Sequence, residues 1–557
     1  MHGQLKVRTP KEQAEAKKKE KDAKVKSYRE AMSKIYVKRA SSLQDDEAWK
    51  LTDKVLLENP DIATLWNYRR EMLSAILPTK SKEESITLLN RELSLLEQCL
   101  RVNPKSYCIW LHRRWVMTHS PAPDWKRDQS LCDLFLKHDE RNFHCWDYRR
   151  FVVSQAGITP EEEFAFSYSK IASNFSNYSA WHYRSKLLPK LRPGSKPGTV
   201  DGTALAQEFE LVQNAFFTDP SDQSAWFYHR WLLGKEHTPL QISGLLLRRL
   251  PHPSLLIVFN QPVKTGSADV TISIADTSLN CSKQSDWPES FWDCPIPSDI
   301  VGGDKEPFVV TVQLGPTKVM LNLAGDQQEN WWTSKDGLFG SSTTAVSTER
   351  LLTELKMCQE LLELEPENKW CLLTTVALMQ AVDTPRYATD IERMVAKLVR
   401  ADSNRSGYYK DLLSKFRIEL ALRTGYPEPG TPHDRCLDLS NKQLTRLYHA
   451  ELMCLYQTVI LATNQLCHLH GVGCLVSVVT LVLDGNNLES LPKSIASLPQ
   501  LKSLSLKHNM LSQLDPLKGS GVESIWLEGN PISNREDLLQ VVQMLLPHLR
   551  MLNNQAC

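Results

Sequence analysis

Apolar residues recur at helical spacing over the first 240 residues, in units that carry a Trp-x-x-Arg pattern. In the first unit, Trp66, Arg69, Arg70 and Leu73 stand at i, i+3, i+4 and i+7, on or beside one helical face. A second amphipathic run precedes each such segment. Each unit therefore predicts a helical hairpin, and stacked hairpins bury a continuous core as a solenoid.

The tryptophans define the period of this repeat. The steps between them are 44, 36, 35 and 45 residues, which is typical of an array of one supersecondary unit. The residues are Trp66, Trp110, Trp146, Trp181 and Trp226. An Asn or Asp, often followed by Pro as in Asn59-Pro60 and Asn103-Pro104, precedes each Trp. We expect this Asn or Asp to begin the second helix as its N-cap.

The buried side of each hairpin is expected to contain the Trp as a packing residue. The Arg pairs leave two interpretations open. They either hold the structure together, by capping carbonyls or pairing with carboxylates, or they line a functional site or a subunit interface.

After residue 237 the pattern changes to short apolar runs separated by Gly, Pro, Asp and Ser, which predicts strands. These runs include 255–259, 270–274, 308–314 and 319–323. They predict an inserted all-β domain, an Ig-like sandwich. Helical spacing resumes near Thr348, with Trp370 as the expected tryptophan of a sixth hairpin and Tyr409 as a marker of a seventh.

From about residue 432 a second repeat follows the leucine-rich pattern, with one short strand and one Asn per coil. Its copies begin at Leu437, Val459, Leu481, Leu504 and Ile525, in steps of 22, 22, 23 and 21 residues. Lys442 replaces the Asn in the first copy.

A chain of 557 residues is too long for one core, and these patterns predict a multidomain protein: a helical-hairpin solenoid, an inserted β-sandwich and a leucine-rich domain. The predicted segments are a charged arm at 1–40, solenoid at 41–237, sandwich at 238–346, solenoid at 347–428 and leucine-rich repeats at 429–557.

Composition narrows the class of protein. The 66 basic and 65 acidic residues nearly cancel, which argues against a whole-protein electrostatic grip on nucleic acid or membrane. The longest apolar run, 474–483, is too short to cross a bilayer. Thirteen scattered cysteines predict reduced thiols and a cytoplasmic location, and we expect Cys281 and Cys294 of the β insert to be unpaired.

Candidate chemistry is sparse. A glycine-rich phosphate loop is absent from the sequence, and the cluster Cys467-His468-Leu-His470 with Cys474 fits no standard zinc module. Lys105, directly after Asn103-Pro104, is expected within the first turn of its helix and is a candidate anion-binding residue beside the helix N–H groups. The alternative is a solvated surface lysine.

The Trp-x-x-Arg-Arg hairpins resemble the α-subunit repeats of the protein prenyltransferases. With a β insert and leucine-rich repeats, the chain is similar to the Rab geranylgeranyltransferase branch, because farnesyltransferase and type I α subunits lack both additions. The resemblance implies a heterodimer whose β subunit holds the zinc and most catalytic residues. It implies geranylgeranyl diphosphate as a substrate and Rab GTPases, presented by an escort protein, as acceptors.

The same resemblance implies site residues. Lys105 would reach the diphosphate, with Tyr107 beside it, and Asn142 and His144 would face the substrate. Cys108 stands where the CaaX enzymes carry a Gln that binds a peptide carboxylate, which argues against CaaX recognition. His2 is a candidate removable ligand of the β-subunit zinc.

Two alternatives stay open at this point. One is a non-enzymatic scaffold in which both kinds of repeat only bind partners. The other is the α subunit of a CaaX prenyltransferase, against which the extra domains and Cys108 argue.

Overall fold

The structure, a computed structural model, divides into two compact units, Met1–His229 and Arg230–Cys557. It describes residues 11–41, 45–195, 199–234, 240–249, 253–264, 270–274, 277–279, 281, 289–297, 306–334, 346–425 and 435–556. In the first helix, it describes side chains from residue 20 onward.

The first unit is a series of helices. They are α1 (Lys11–Ala40), α2 (Asp46–Glu58), α3 (Ala63–Ile76), α4 (Lys82–Val102), α5 (Tyr107–His119), α6 (Trp125–His138), α7 (Phe143–Ala156), α8 (Pro160–Ser173), α9 (Tyr178–Leu191), α10 (Gly202–Thr218) and α11 (Gln223–Leu233), the last of which runs into the second unit. Side chains 20–30 of α1 are exposed, whereas Met32 and Ile35 are buried. From α2 onward the helices pair into the five predicted hairpins.

The Asn or Asp of each repeat ends the first helix of its hairpin, so the prediction that it begins the second helix was wrong. Its side-chain oxygen accepts the backbone N–H two residues later, at 2.9 to 3.2 Å. This hydrogen bond forms an Asx turn, which lets the chain reverse before the next helix starts. The residues are Asn59, Asn103, Asp139, Asn174 and Asp219. In the third hairpin, Asn142 is instead the N-cap of α7.

The tryptophan seven residues after each Asx closes the same turn. In all five hairpins its indole N–H donates to the carbonyl of the residue that follows the Asx, at 2.8 to 2.9 Å. The five rings are almost fully buried, which confirms the predicted packing role. The hydrogen bond adds roughly 1 kcal/mol and ties the second helix to the turn before it.

The first arginine of each pair joins one hairpin to the next. Its guanidinium is buried and forms two parallel hydrogen bonds, of 2.5 to 2.9 Å, with a carboxylate on the first helix of the following hairpin. The pairs are Arg69–Glu92, Arg113–Asp128, Arg149–Glu163 and Arg184–Glu208. The structural interpretation is therefore confirmed for the first arginine. The second arginine, such as Arg114 or Arg150, is exposed.

Each of these carboxylates also accepts a hydrogen bond from its own hairpin. His112 Nε2 lies 2.8 Å from Glu92, and the Tyr228 hydroxyl donates to Glu208 at 2.6 Å. Burial alone would raise the pKa of Glu92, but the charge and hydrogen bonds of Arg69, together with His112, lower it to about 2. Because the ordinary pKa is 4.5, this cluster stabilises the fold above that pH and loses its contribution as the pH falls toward 2.

The second unit contains two further hairpins, formed by α12 (Thr348–Leu364), α13 (Lys369–Asp383), α14 (Ala388–Ala401) and α15 (Ser406–Gly425). Glu365 ends α12, and the buried residue seven positions later is Leu372. The prediction that Trp370 is the tryptophan of this hairpin was therefore wrong. Tyr409 does occupy it in the last hairpin, where its hydroxyl donates to Asp402 at 2.9 Å. The repeat thus keeps its spacing with a different apolar residue.

The inserted region is a sandwich of two antiparallel four-stranded sheets, with orders β5-β2-β1-β8 and β4-β3-β6-β7. The strands are β1 (Ile242–Arg248), β2 (Ser254–Phe259), β3 (Val270–Ile274), β4 (Thr277–Ser278), β5 (Phe291–Pro295), β6 (Phe308–Leu314), β7 (Thr317–Leu323) and β8 (Glu329–Thr333). Side chains such as Leu255, Ile257, Val310 and Val312 form a core from both sheets. The predicted strands and sandwich are confirmed, whereas β1, β4, β5 and β8 were not predicted.

Cys281 and Cys294 form a disulfide, so the prediction that they are unpaired was wrong. Cys294 lies on β5 of one sheet, and Cys281 follows β4 of the other. The sandwich brings their Cα atoms to 4.1 Å, a proximity that a separation of 13 residues does not reveal. None of the other cysteines in the described ranges is disulfide-bonded.

The C-terminal coils place six parallel strands in register, followed by an antiparallel edge strand. The strands are β9 (Cys436–Asp438), β10 (Thr458–Ile460), β11 (Thr480–Val482), β12 (Ser503–Ser505), β13 (Ser524–Trp526), β14 (Met551–Leu552) and β15 (Gln555–Ala556), with helix α16 (Leu538–Leu545) before β14. The Asn464 side chain accepts the N–H groups of Lys442 and Leu444 and donates to three backbone carbonyls. The repeated Asn thus satisfies backbone groups of its own coil and of the coil before it.

The β-sandwich and the leucine-rich coils share a hydrophobic core. Leu246, Leu256, Val258 and Phe291 of the sandwich join the buried leucines of the coils. An ion pair between Arg435 and Glu329 spans the same boundary. This explains why β1 and β2 are buried along both faces, and it indicates that the two parts fold against each other.

We expect Arg149→Met to destabilise the chain by about 3–5 kcal/mol, because it leaves the buried carboxylate of Glu163 without its charge partner. The midpoint of thermal unfolding, followed by circular dichroism, measures this change. Arg150→Met is the matched control, since Arg150 is exposed and pairs with Asp147 on its own helix. The control should cost less than about 0.5 kcal/mol. Equal shifts for the two variants would contradict the structural role of the first arginine.

Candidate functional site

Two neighbouring turns bring the four predicted site residues together. Lys105 lies in the turn between α4 and α5, and Tyr107 is the first residue of α5. Asn142 is the N-cap of α7, and His144 is the second residue of that helix. The turns are joined by a hydrogen bond of 2.9 Å from Asn142 Nδ2 to the carbonyl oxygen of Pro104.

The ammonium of Lys105 forms an ion pair with Asp139, with Nζ and Oδ2 2.8 Å apart. Lys105 precedes the N-cap Ser106, so it lies just outside the first helical turn in which it was predicted. Its side chain is 62% exposed. The hydrogen bond from Lys105 lowers the pKa of Asp139, although partial burial opposes this shift. The exposed ammonium of Lys105 therefore lies just before the N-terminus of α5, with Asp139 as its counter-ion.

Aromatic rings form one wall of the site. The Tyr107 ring lies edge-on to the His144 ring with centroids 4.1 Å apart, and Phe143 packs against both. Burial lowers the pKa of His144 below its ordinary value of 6.5; the carboxylate of Asp147 opposes this shift and Lys105 adds to it. His144 is consequently neutral at physiological pH, so the positive charge of this wall belongs to Lys105.

Asn142 is buried, and both the oxygen and the nitrogen of its side-chain amide form hydrogen bonds with the backbone. Its oxygen accepts the N–H of Cys145 at 3.3 Å, which caps α7, while its nitrogen binds Pro104. Its observed role is therefore to hold the two turns in register.

The remaining sequence candidates do not add to this surface. His2 lies outside the described residues. His468 and His470 stack with centroids 5.9 Å apart, but Cys474 is buried. Among the residues that the structure describes, no three His, Cys, Asp or Glu side chains are grouped as metal ligands. Across the same ranges, no helix is both long and apolar enough to span a membrane.

Sequence reasoning missed Asp139 and a row of exposed apolar side chains near the starts of the second helices. The row consists of Tyr107, Leu111, Phe143, Tyr178 and Phe227. A signal for it was present, since Tyr107, Phe143 and Tyr178 each stand three residues before a repeat tryptophan. Asp139 could have been found by counting seven residues back from Trp146.

Comparison with known families identifies the class of protein. The model for the protein prenyltransferase alpha subunit repeat matches residues 45–76, 89–120, 125–156, 160–191 and 205–236, which are the five hairpins described above. A leucine-rich repeat model matches residues 476–532. The helical part therefore has the repeats of a protein prenyltransferase α subunit.

Curated relatives narrow this class to one family. The chain is 41% identical over 567 aligned residues to geranylgeranyl transferase type-2 subunit alpha of Bos taurus and to that of Homo sapiens. Each alignment covers 98% of this chain and 99% of the relative. The Dictyostelium discoideum relative is 40% identical over 42% of this chain and 75% of its own length. The chain belongs to the family of geranylgeranyl transferase type-2 α subunits, and it is a subunit of a prenyltransferase.

Removing the charge of Lys105 should raise the pKa of His144, because Lys105 is one of the causes that hold it low. In Lys105→Ala, the imidazole of His144 should titrate closer to 6.5 than in the unmodified chain, although burial still keeps it lower. An NMR titration of labelled histidine measures this shift. Lys126→Ala is the control, because Lys126 lies at the end of α6 opposite to Asp139. This change should leave the titration of His144 unchanged. An unmoved His144 titration in Lys105→Ala would contradict the electrostatic coupling.

Proposed function

We propose that this chain and a β subunit form a geranylgeranyltransferase that acts on the C-terminal cysteines of Rab GTPases presented by an escort protein. Geranylgeranyl diphosphate is the proposed donor, and the cytoplasm is the proposed location. The observation that carries the proposal is the near full-length similarity to type-2 α subunits. The converged residues of the two turns support a direct role for this chain.

In the proposed reaction, a bond forms between the cysteine sulfur and the first carbon of the isoprenoid, and the bond from that carbon to the diphosphate oxygen breaks. Negative charge develops on the leaving diphosphate. Lys105 stabilises this charge, because its ammonium lies at an exposed turn with donors available to a ligand. Zinc on the β subunit would supply activation of the thiolate, and His2 is its proposed removable ligand.

Tyr107 and His144 form the wall next to this charge in the proposed site. Their edge-on contact fixes both rings, and a neutral imidazole adds no competing charge. Asn142 acts through the turns that it joins. The proposed division of roles is therefore one charged residue, two ring residues and one residue that maintains their spacing.

The row of exposed apolar residues supports the proposed heterodimer. Aromatic side chains that stay exposed in an isolated chain are enriched at the cores of protein interfaces. Tyr107 and Phe143 belong both to this row and to the site. A β subunit that covered the row would therefore also enclose Lys105.

Cys108 supports Rab rather than CaaX acceptors. Its thiol is only partly exposed and lies 3.8 Å from the carbonyl oxygen of Asp61. Burial also raises its pKa, so the thiol stays neutral. A neutral thiol does not replace the amide that binds a peptide carboxylate in CaaX enzymes.

Co-purification with a β subunit, followed by prenyl transfer assays, tests the proposed function. We expect a stable heterodimer that modifies a Rab protein only when the escort protein is present. A short CaaX peptide is the control acceptor and should remain unmodified. Failure to form a heterodimer, or equal transfer to the peptide, would overturn the proposal.

Lys105→Ala should lower the turnover of the assembled heterodimer on the order of 10²-fold, because it removes a donor aimed at developing charge. Heterodimer formation should be unchanged, since the row of exposed apolar residues stays intact. The control Lys126→Ala removes another exposed lysine and should keep normal turnover. Normal turnover in Lys105→Ala would exclude the assigned role.

A further inference from the structure

The turns of neighbouring hairpins are linked by a repeated contact. At the first two junctions, the residue two positions after the Asx of one turn meets the Asx of the next turn. Between the first and second hairpins, Asn103 Nδ2 donates to Asp61 Oδ2 at 2.8 Å. Between the second and third, Lys105 Nζ lies 2.8 Å from Asp139 Oδ2. The same geometry thus holds an amide–carboxylate hydrogen bond at one step and an ion pair at the next.

The carboxylate of Asp139 is fixed by the backbone. Its Oδ1 accepts the N–H of Arg141 at 3.0 Å, and its own N–H donates to the carbonyl of Phe135 at 2.9 Å. These bonds leave Oδ2 directed at Lys105. An Asn at this position would form the same Asx turn but would present an amide N–H to the ammonium. The Asx turn therefore does not require a carboxylate at this position, whereas the ion pair with Lys105 does.

Lys105 depends on such a partner. A lysine has four flexible side-chain carbons, and fixing them costs up to about 2 kcal/mol in rotamer entropy. The ammonium carries three N–H donors, so one bond to Asp139 leaves two for a ligand. The ion pair with the fixed carboxylate of Asp139 thus restrains the ammonium and leaves two of its N–H donors available to a ligand.

We propose that Asp139 is a positioning residue that holds the ammonium of Lys105 on the turn, where its remaining N–H groups meet the diphosphate of the isoprenoid substrate. This inference rests on the proposed function of Lys105. Asp139 also partly neutralises the lysine, which weakens the attraction for the substrate diphosphate. Its contribution is therefore to the transition state, where a fixed donor meets the developing charge, more than to substrate binding.

The test is Asp139→Asn in the assembled heterodimer with geranylgeranyl diphosphate as the varied substrate. We expect kcat to fall about tenfold, while KM for the diphosphate stays the same or falls. The double variant Lys105→Ala/Asp139→Asn should be no slower than Lys105→Ala alone, because the two residues act as one unit. A raised KM with normal kcat, or additive losses in the double variant, would show that Asp139 acts through the fold and would overturn the proposal.

Two controls keep the outcome specific. Asp61→Asn alters the contact between the first and second turns and should leave kcat within twofold of normal. Asp139→Ser, whose hydroxyl also supports such a turn, is the second variant if Asp139→Asn does not assemble, and the same kinetic pattern is expected. If Lys105→Ala keeps normal turnover, the proposed role of Lys105 fails, and the positioning role of Asp139 fails with it. If Lys105→Ala is slow but Asp139→Asn is not, only the positioning role fails.

Discussion

The buried pair between an arginine of one hairpin and a carboxylate of the next sets the geometry of the first unit. A single hairpin cannot satisfy its own arginine, because the main acceptor is on its neighbour. A guanidinium such as that of Arg113 would be costly to bury alone, so each hairpin needs the next one in a single register. This requirement places successive turns side by side. The candidate site is a consequence of that alignment.

The turns separate structural positions from functional ones. The Asx side chain and the tryptophan indole form each turn, and they use only backbone atoms of the residues between them. The position two residues after the Asx is therefore free to vary, and it holds Asp61, Lys105, Arg141, Ser176 and Ser221 in the five hairpins. Lys105, which carries the positive charge of the site, thus stands at a position where the fold requires no particular side chain. A lysine can be placed there at little structural cost.

The second unit is organised around a hydrophobic cluster that its parts share. The outer face of one sandwich sheet is covered by the leucine-rich coils, and Ile418 and Leu422 of α15 join the same cluster. The Arg435–Glu329 pair lies at that boundary. The coils therefore complete the sandwich and the last helix, so this unit packs as a whole around shared apolar surface. The additions found beside the helical repeats are structurally interdependent.

Local periodicity was sufficient to predict the hairpins, the leucine-rich coils and the sandwich, because each depends on spacing along the chain. The acids of the buried pairs, Glu92, Asp128, Glu163 and Glu208, all stand eighteen residues before a tryptophan, but only the structure shows that they meet the arginine of the preceding hairpin. Tertiary structure alone decided the Lys105–Asp139 pair, the Cys281–Cys294 disulfide and the second buried face of β1. Those contacts join different elements, and their distances depend on how the elements pack. Sequence by itself therefore determined which units form, and packing determined which side chains meet.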